Sequence, residues 1–204
     1  MKKIIAISIL LITIAPFYSC KKNVKKEVKT TEKGYSVEPK TTTINWIAYK
    51  TTSKIPVKGQ FTKVTIENTE KASTAIEALN GLKFKIPVSS LFTKDTIRDR
   101  KLKNFFFGSM KDTNQISGII TMNNETSGSV ELVMNGISQV LPITYVISDQ
   151  MVTIEAIMNL DNWQAQIALE ALNIACKDLH SGADGITKTW SEVKIEVATY
   201  LKYE

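Results

Sequence analysis

The sequence is poor in the residues that metal sites and covalent catalysis need. Its 204 residues contain one histidine, His180, and two cysteines, Cys20 and Cys176. A single His cannot build a His-based zinc site, nor a nucleophile–His–carboxylate triad with partners to spare. Two thiols cannot make a disulfide framework. Nine Gly and five Pro are too few for a fibrous or low-complexity chain. Gly59, Gly81 and Gly108 stand alone, so no Gly-rich phosphate loop is present. Asp95 and Asp99 are four residues apart, but Arg98 and Lys101 sit among them, which reads as a salt-paired, solvated helix face. His180 lies where a helix ends, and reads as a cation complementing the helix dipole. The run His180-Ser181-Gly182-Ala183-Asp184-Gly185 has the composition of a tight loop. Nothing in this inventory indicates an enzyme, a metal centre or a cofactor.

Charge of one sign is also scarce once it is located. The chain carries a formal +6. Residues 1–33 hold eight Lys against two Glu, and residues 34–204 hold 18 basic and 18 acidic side chains. The basicity belongs to the N-terminal extension, and the remainder has no overall cationic footprint for nucleic acid.

That extension opens with Met1-Lys2-Lys3, followed by the mostly apolar run Ile4–Phe17 and then Tyr18-Ser19-Cys20. The run is too short to span a bilayer comfortably, and no later segment approaches the length required. Positive residues, a short apolar core and small residues read as a secretory signal over 1–19. A small residue directly before Cys20 resembles a bacterial lipoprotein signal, in which the Cys thiol is acylated after cleavage. The expectation is a periplasmic protein of the cell envelope, held to a membrane (the outer one) by lipidated Cys20, with more than one acyl chain giving lasting attachment. Residues 20–43, rich in Lys and Thr and without apolar periodicity, read as a flexible tether. Cys176, in an apolar helical context, reads as buried and inert.

From residue 44 to 204 the main signal has period two. It predicts strands at 44–49, 57–66, 82–88, 116–122, 130–134, 140–148, 152–160 and 193–199. Gly59 marks a bulge or a close approach, Pro87 a strand end, and Asn135-Gly136 a hairpin turn. Two segments depart from this pattern. Thr93–Ser109 has near-helical spacing. Asp161–His180 reads as one helix, capped by Asp161 or Asn162, with a stripe of Trp163, Ile167, Ala171, Leu172, Ile174, Ala175 and Leu179. About eight antiparallel strands with two helical insertions fit a closed barrel or a sandwich.

Several ordered motifs add to this. They are Gly59-Gln60-Phe61-Thr62-Lys63-Val64; Ile86-Pro87-Val88-Ser89-Ser90-Leu91 with Thr96, Arg98-Asp99-Arg100-Lys101-Leu102 and Phe105-Phe106; Leu132 to Ser138 with Val140-Leu141-Pro142-Ile143; and His180 to Gly185 with Lys188-Thr189-Trp190. In this order they resemble the YceI-like lipid-binding proteins over roughly residues 44–200. The usual Tyr-Pro of that family is replaced here by Phe107-Gly108-Ser109-Met110. The resemblance implies an all-β, lipocalin-like antiparallel barrel with a long apolar cavity, a polyisoprenoid or similar long-chain apolar ligand, and no catalytic residue. Candidate lining residues are Phe61, Phe84, Phe105, Phe106, Leu132, Met134, Ile143, Tyr145, Ile154, Ala156 and Met158; packed core is the other reading of each. Arg98, Arg100 and Lys101 are candidates to meet a lipid headgroup. The competing reading is a filled barrel that displays residues 180–190, Trp190 among them, to a protein partner. Pairing of two copies through an edge strand stays open.

Overall fold

The computed structural model describes residues 33–204. The expected signal, Cys20 and most of the tether lie outside these residues. The strands are β1 (Tyr35–Lys50), β2 (Ile55–Phe61), β3 (Thr65–Glu67), β4 (Lys83–Pro87), β5 (Leu91–Phe92), β6 (Gln115–Met122), β7 (Ser127–Met134), β8 (Ile137–Ser148), β9 (Met151–Asn159) and β10 (Thr189–Tyr203). The helices are α1 (Ala75–Leu79), α2 (Thr96–Lys101), α3 (Gln166–Ala175) and α4 (Lys177–His180).

All ten strands form one antiparallel sheet in the order β3-β4-β6-β7-β8-β9-β10-β1-β2-β5. β2 and β3 follow each other in the chain, yet stand at opposite ends of this order. The bend at residues 62–64 carries the chain from one end of the sheet to the other and curls it around a single interior. Thr62 anchors the bend through its N–H, which donates to the Ser90 carbonyl at 3.0 Å. The single strand expected at 57–66 is therefore two strands. The outermost strands are three and two residues long, too short to offer much edge to a second copy.

Side chains alternate between the two faces of a strand, so each buries every second residue. In β9, Val152, Ile154, Ala156 and Met158 are buried while the residues between them face solvent. In β8, Leu141, Ile143 and Tyr145 are buried. Asn135 and Gly136, at φ 54° and 69°, make the tight turn that pairs Met134 with Ile137.

Two further expectations need correction, and a third is made finer. The boundary at 43/44 falls inside β1, which starts at Tyr35 and pairs with the end of β10. The register slips between Glu38 and Thr43. That irregularity breaks the alternation and hides the strand in a Lys- and Thr-rich sequence. The helix expected at 161–180 is three pieces: a 3₁₀ turn at Leu160–Trp163, then α3, then α4. Gln164 takes a left-handed φ of 51° and ends the first piece, whose cap is Asn159, not Asp161 or Asn162. The break rotates α3, so Ala168, Leu169 and Leu172 face the barrel while Ile167 and Ile174 are 72% and 74% exposed. Segment 93–109 is α2, a π-helical turn at Leu102–Phe106 and a 3₁₀ turn at Phe107–Ser109.

Candidate ligand-binding tunnel

Depth inside the barrel can be read along β1. Its inward residues pass from Val37 and Ile44 through Trp46 and Ala48 to the end at Lys50, and three voids follow them in that order. The deepest, about 150 Å³, is walled by residues such as Val37, Ile44, Leu79, Phe84, Ile143 and Val197. The second, about 110 Å³, lies against Trp46, Ala48, Phe106, Phe107, Leu169 and Val193. The third is a mouth of about 560 Å³ bordered by Lys50, Ile55, Lys58, Arg98, Lys101, Leu179 and His180. Phe61, Met134, Met158 and Ile195 face both of the first two voids. Trp46, Ala48, Leu102 and Leu172 face both the second void and the mouth. From Thr42 to Lys50 the stack runs about 26 Å at the rise of a strand.

The deep wall is hydrocarbon. The polar side chains facing it, Thr42 and Thr199, turn their hydroxyls on each other at 2.7 Å. Such a void is costly. At roughly 24 cal/mol per Å³, the deep cavity alone forgoes about 3–4 kcal/mol that a filled interior would keep, a large share of a domain's net stability.

The covering elements shape the upper void. The π-helical turn brings both Leu102 and Phe106 onto its wall. Phe107 packs edge-on against Phe106 at 5.0 Å and Phe61 at 6.4 Å. Trp46 stands opposite Gly59 in the β1–β2 ladder, and its ring covers that glycine: a Cβ there would lie 2.1 Å from the indole. This is the close approach that Gly59 marks in the sequence. The Trp46 Nε1–H is buried without a protein partner.

The mouth is cationic. Lys50, Lys58, Arg98 and Lys101 border it with a single carboxylate, Asp95. Asp95 caps α2 through the N–H groups of Ile97 and Arg98 and pairs with the Arg98 guanidinium at 3.3 Å. The backbone N–H of Arg98, ahead of its charge, holds that carboxyl below its usual range. Asp99 turns the other way. It is buried, and accepts from the Thr93 N–H at 2.8 Å and the Thr93 hydroxyl at 2.6 Å. The two carboxylates therefore share neither a solvated face nor a reaction centre. Lys101 donates to the Ala175 carbonyl at 2.8 Å, tying α2 to α3.

His180 is half-buried at this rim. Its Nδ1 lies 2.7 Å from the Thr189 hydroxyl, which donates to Asn173 at 2.6 Å. Burial, followed by the positive charges of Lys50 and Lys101, pushes its pKa down to about 4. His180 is thus neutral at pH 7, not the dipole-stabilised cation expected at a helix end.

Of the expected lining residues, Phe61, Phe84, Leu132, Met134, Ile143, Ile154, Ala156 and Met158 face the deep void, and Phe106 faces the upper one. Phe105 does not. It is 43% exposed, while Phe106 and Phe107, next along the chain, both face the upper void. Tyr145 is buried but off both voids; its hydroxyl donates to the Asn124 carbonyl in the β6–β7 turn. Arg98 and Lys101 border the mouth, whereas Arg100 points to solvent away from it. Sequence reasoning missed Trp46, Ile195 and Val197, although the alternation in their strands places them inward. Trp190 is fastened in place: its Nε1 donates to the Thr51 carbonyl at 2.7 Å, and the Lys188 ammonium lies 3.6 Å from its ring centre.

Comparison with known proteins follows the same lines. The YceI-like domain model matches residues 35–200. A solved polyisoprenoid-binding domain from Saccharophagus degradans, implicated in plant cell wall breakdown, superposes with a TM-score of 0.60 at 11% identity, covering 84% of this chain and 99% of its own. BcnA of Burkholderia cenocepacia superposes with a TM-score of 0.54 at 12% identity, covering 81% and 99%. No curated protein matches the chain.

Proposed function

This chain belongs to the YceI-like family, and on that premise we propose that it is a non-catalytic carrier that buries a long apolar chain, a polyisoprenoid or similar lipid, in the stacked voids of its barrel. In this reading the polar head of the ligand stays at the mouth beside Arg98 and Lys101. Lipidated Cys20 holds the protein to a membrane of the cell envelope on the periplasmic side. The observation that carries the proposal is the hydrocarbon wall around a void that packing alone would fill. The bound chain restores what the void forgoes, at about 0.8 kcal/mol for each buried methylene-sized group. Three or four isoprene units would then reach nanomolar affinity after the cost of association. The polyisoprenoid-binding relative with the same fold supports the ligand class. The scaffold reading finds less support, since Trp190 is engaged within the fold and not displayed.

Native mass spectrometry of residues 33–204, purified from a bacterial host without added lipid, tests this. The expected spectrum carries an adduct in the mass range of a polyprenyl chain, released intact on denaturation. An unmodified mass that persists after incubation with polyprenyl phosphates, quinones and fatty acids overturns the carrier reading.

A further inference from the structure

A chain insoluble enough to fill a hydrocarbon tunnel cannot cross water at a useful rate, so its carrier must meet the donor membrane at the tunnel's opening. The structure distinguishes that opening from the rest of the surface. Many exposed apolar residues on the sheet stand among polar neighbours, although Met151 faces Tyr200. Val140 faces Glu131 across its ladder, Val146 faces Thr153, and Ile157 faces Lys194. Around the mouth they gather instead. Ile55, Ile97 and Leu179 come from β2, α2 and α4, border one opening, and are 48%, 59% and 59% exposed. Clustered exposed apolar side chains on a monomer mark an interaction surface, whereas single ones do not.

The same opening is cationic, although residues 34–204 as a whole balance 18 basic against 18 acidic side chains. Lys50, Lys58, Arg98 and Lys101 stand on it, with Asp95 already engaged by Arg98. His180 stands half-buried on the same rim, beside Lys50 and Lys101. Apolar side chains ringed by cations are the composition of a surface that lies in an anionic lipid interface, with the aliphatic groups below the headgroups and the cations beside the phosphates.

We propose that the tunnel mouth seats on an anionic lipid surface, inserting Ile55, Ile97 and Leu179, so that a chain slides between bilayer and barrel without entering water. This rests on the carrier reading above. It adds to that reading the partner with which the site works, and it makes the mouth, as distinct from any part of the wall, the membrane-facing end.

The sheet and its core are built within residues 35–203, so residues 33–204 are the segment to test, free of any contribution from Cys20. Flotation would be measured with vesicles of phosphatidylcholine alone and of equimolar phosphatidylcholine and phosphatidylglycerol. Binding is expected to the mixed vesicles, weakened by salt. It should fall about tenfold or more in the Ile97→Ser/Leu179→Ser double variant and stay unchanged in Val140→Ser/Val146→Ser. Both pairs are solvent-exposed, and an unchanged thermal midpoint confirms that each variant folds. No binding by the unsubstituted protein, or equal binding by the Ile97/Leu179 variant, overturns the proposal. Uptake of a polyprenyl phosphate from detergent is measured alongside. If uptake persists while vesicle binding is absent, docking fails and the carrier reading stands. If both are absent, the carrier reading fails with it.

Discussion

The two ends of the barrel are crossed by the same strands but covered by opposite kinds of structure. At the β1 start, Leu201 and Val152 are completely buried and Leu79 is 1% exposed. Helix α1 closes that end with a reciprocal cap, in which Thr74 and Glu77 each satisfy the other's backbone N–H. Tyr145 ties its hydroxyl to the β6–β7 turn, and Glu38 pairs with Lys202. At the other end the cover is α2, which Asp95 caps, followed by a π-helical turn and the helices α3 and α4, which no side-chain cap begins. Thr51 and Lys54 of the β1–β2 turn adopt left-handed φ values of 59° and 54°, and apolar side chains stand in solvent. Alternation along a strand builds the wall, while the cover decides which end is sealed and which stays open. In the proposed function, ligand entry belongs to the open end and closure of the core to the sealed one, and substitutions should separate the two.

The largest expected effect breaks the sealed end. Leu201→Ala leaves a new cavity where nothing binds, so chemical denaturation should show a loss of about 2–5 kcal/mol, while the folded fraction keeps its affinity for a polyprenyl chain. The converse sharpens the comparison. Ala156 faces the deep void, and Ala156→Phe fills it. Displacing about four buried carbons of ligand should weaken chain binding about a hundredfold, with the thermal midpoint of the empty protein held or raised. Equal loss of stability and binding in either variant would erase the distinction between the ends.

A third effect belongs to the open end alone. The folded-state pKa of His180, about 4, lies below its ordinary value of 6.5. The unfolded chain therefore binds the extra proton first, and stability falls as pH drops from about 6.5 toward 4, then levels off. The shifted carboxylates Glu38, Asp95 and Asp184 start from ordinary values of 4.5, 3.8 and 3.8 and titrate lower still. His180→Asn should thus flatten the slope above pH 4.5 in a series of denaturation curves. The smallest effect concerns the head of the ligand. Arg98→Gln with Lys101→Gln should weaken binding of a chain with an anionic head a few-fold, as expected for exposed charges, and leave the matching alcohol unaffected. Arg100→Gln, one residue away but off the mouth, should change neither.

The wall was legible in the sequence because period two survives in strands with one buried face. Val152, Ile154, Ala156 and Met158 could be placed inward from their spacing alone. β1 was read short because the irregularity after Glu38 breaks that spacing where the composition is also polar. The covers were harder still. Helical geometry sets Leu172 roughly 140–160° round α3 from Ile167 and Ile174, so the three cannot share one stripe. The left-handed residue Gln164 ahead of α3 turns the Leu172 side to the core and leaves both isoleucines in solvent. The run Phe105 to Phe107 shows the same limit: all three are aromatic, yet Phe106 and Phe107 face the upper void and Phe105 faces solvent. The mouth, whose residues come from β1, β2, α2, α3, α4 and β10, exists only in three dimensions. Of its cations, the sequence singled out Arg98 and Lys101 but not Lys50 or Lys58, which ordinary strand positions conceal.

In the proposed function an apolar chain lies inside the barrel with its tail at the sealed end and its head at the mouth. A polyprenyl phosphate bearing a photoreactive diazirine at its tail, cross-linked to residues 33–204 and mapped by peptide mass, tests this directly. Adducts are expected on deep wall residues such as Ile44, Ile143 and Val197. Adducts confined to the outer sheet face, at Val140 or Val146, or to the mouth itself, would contradict it.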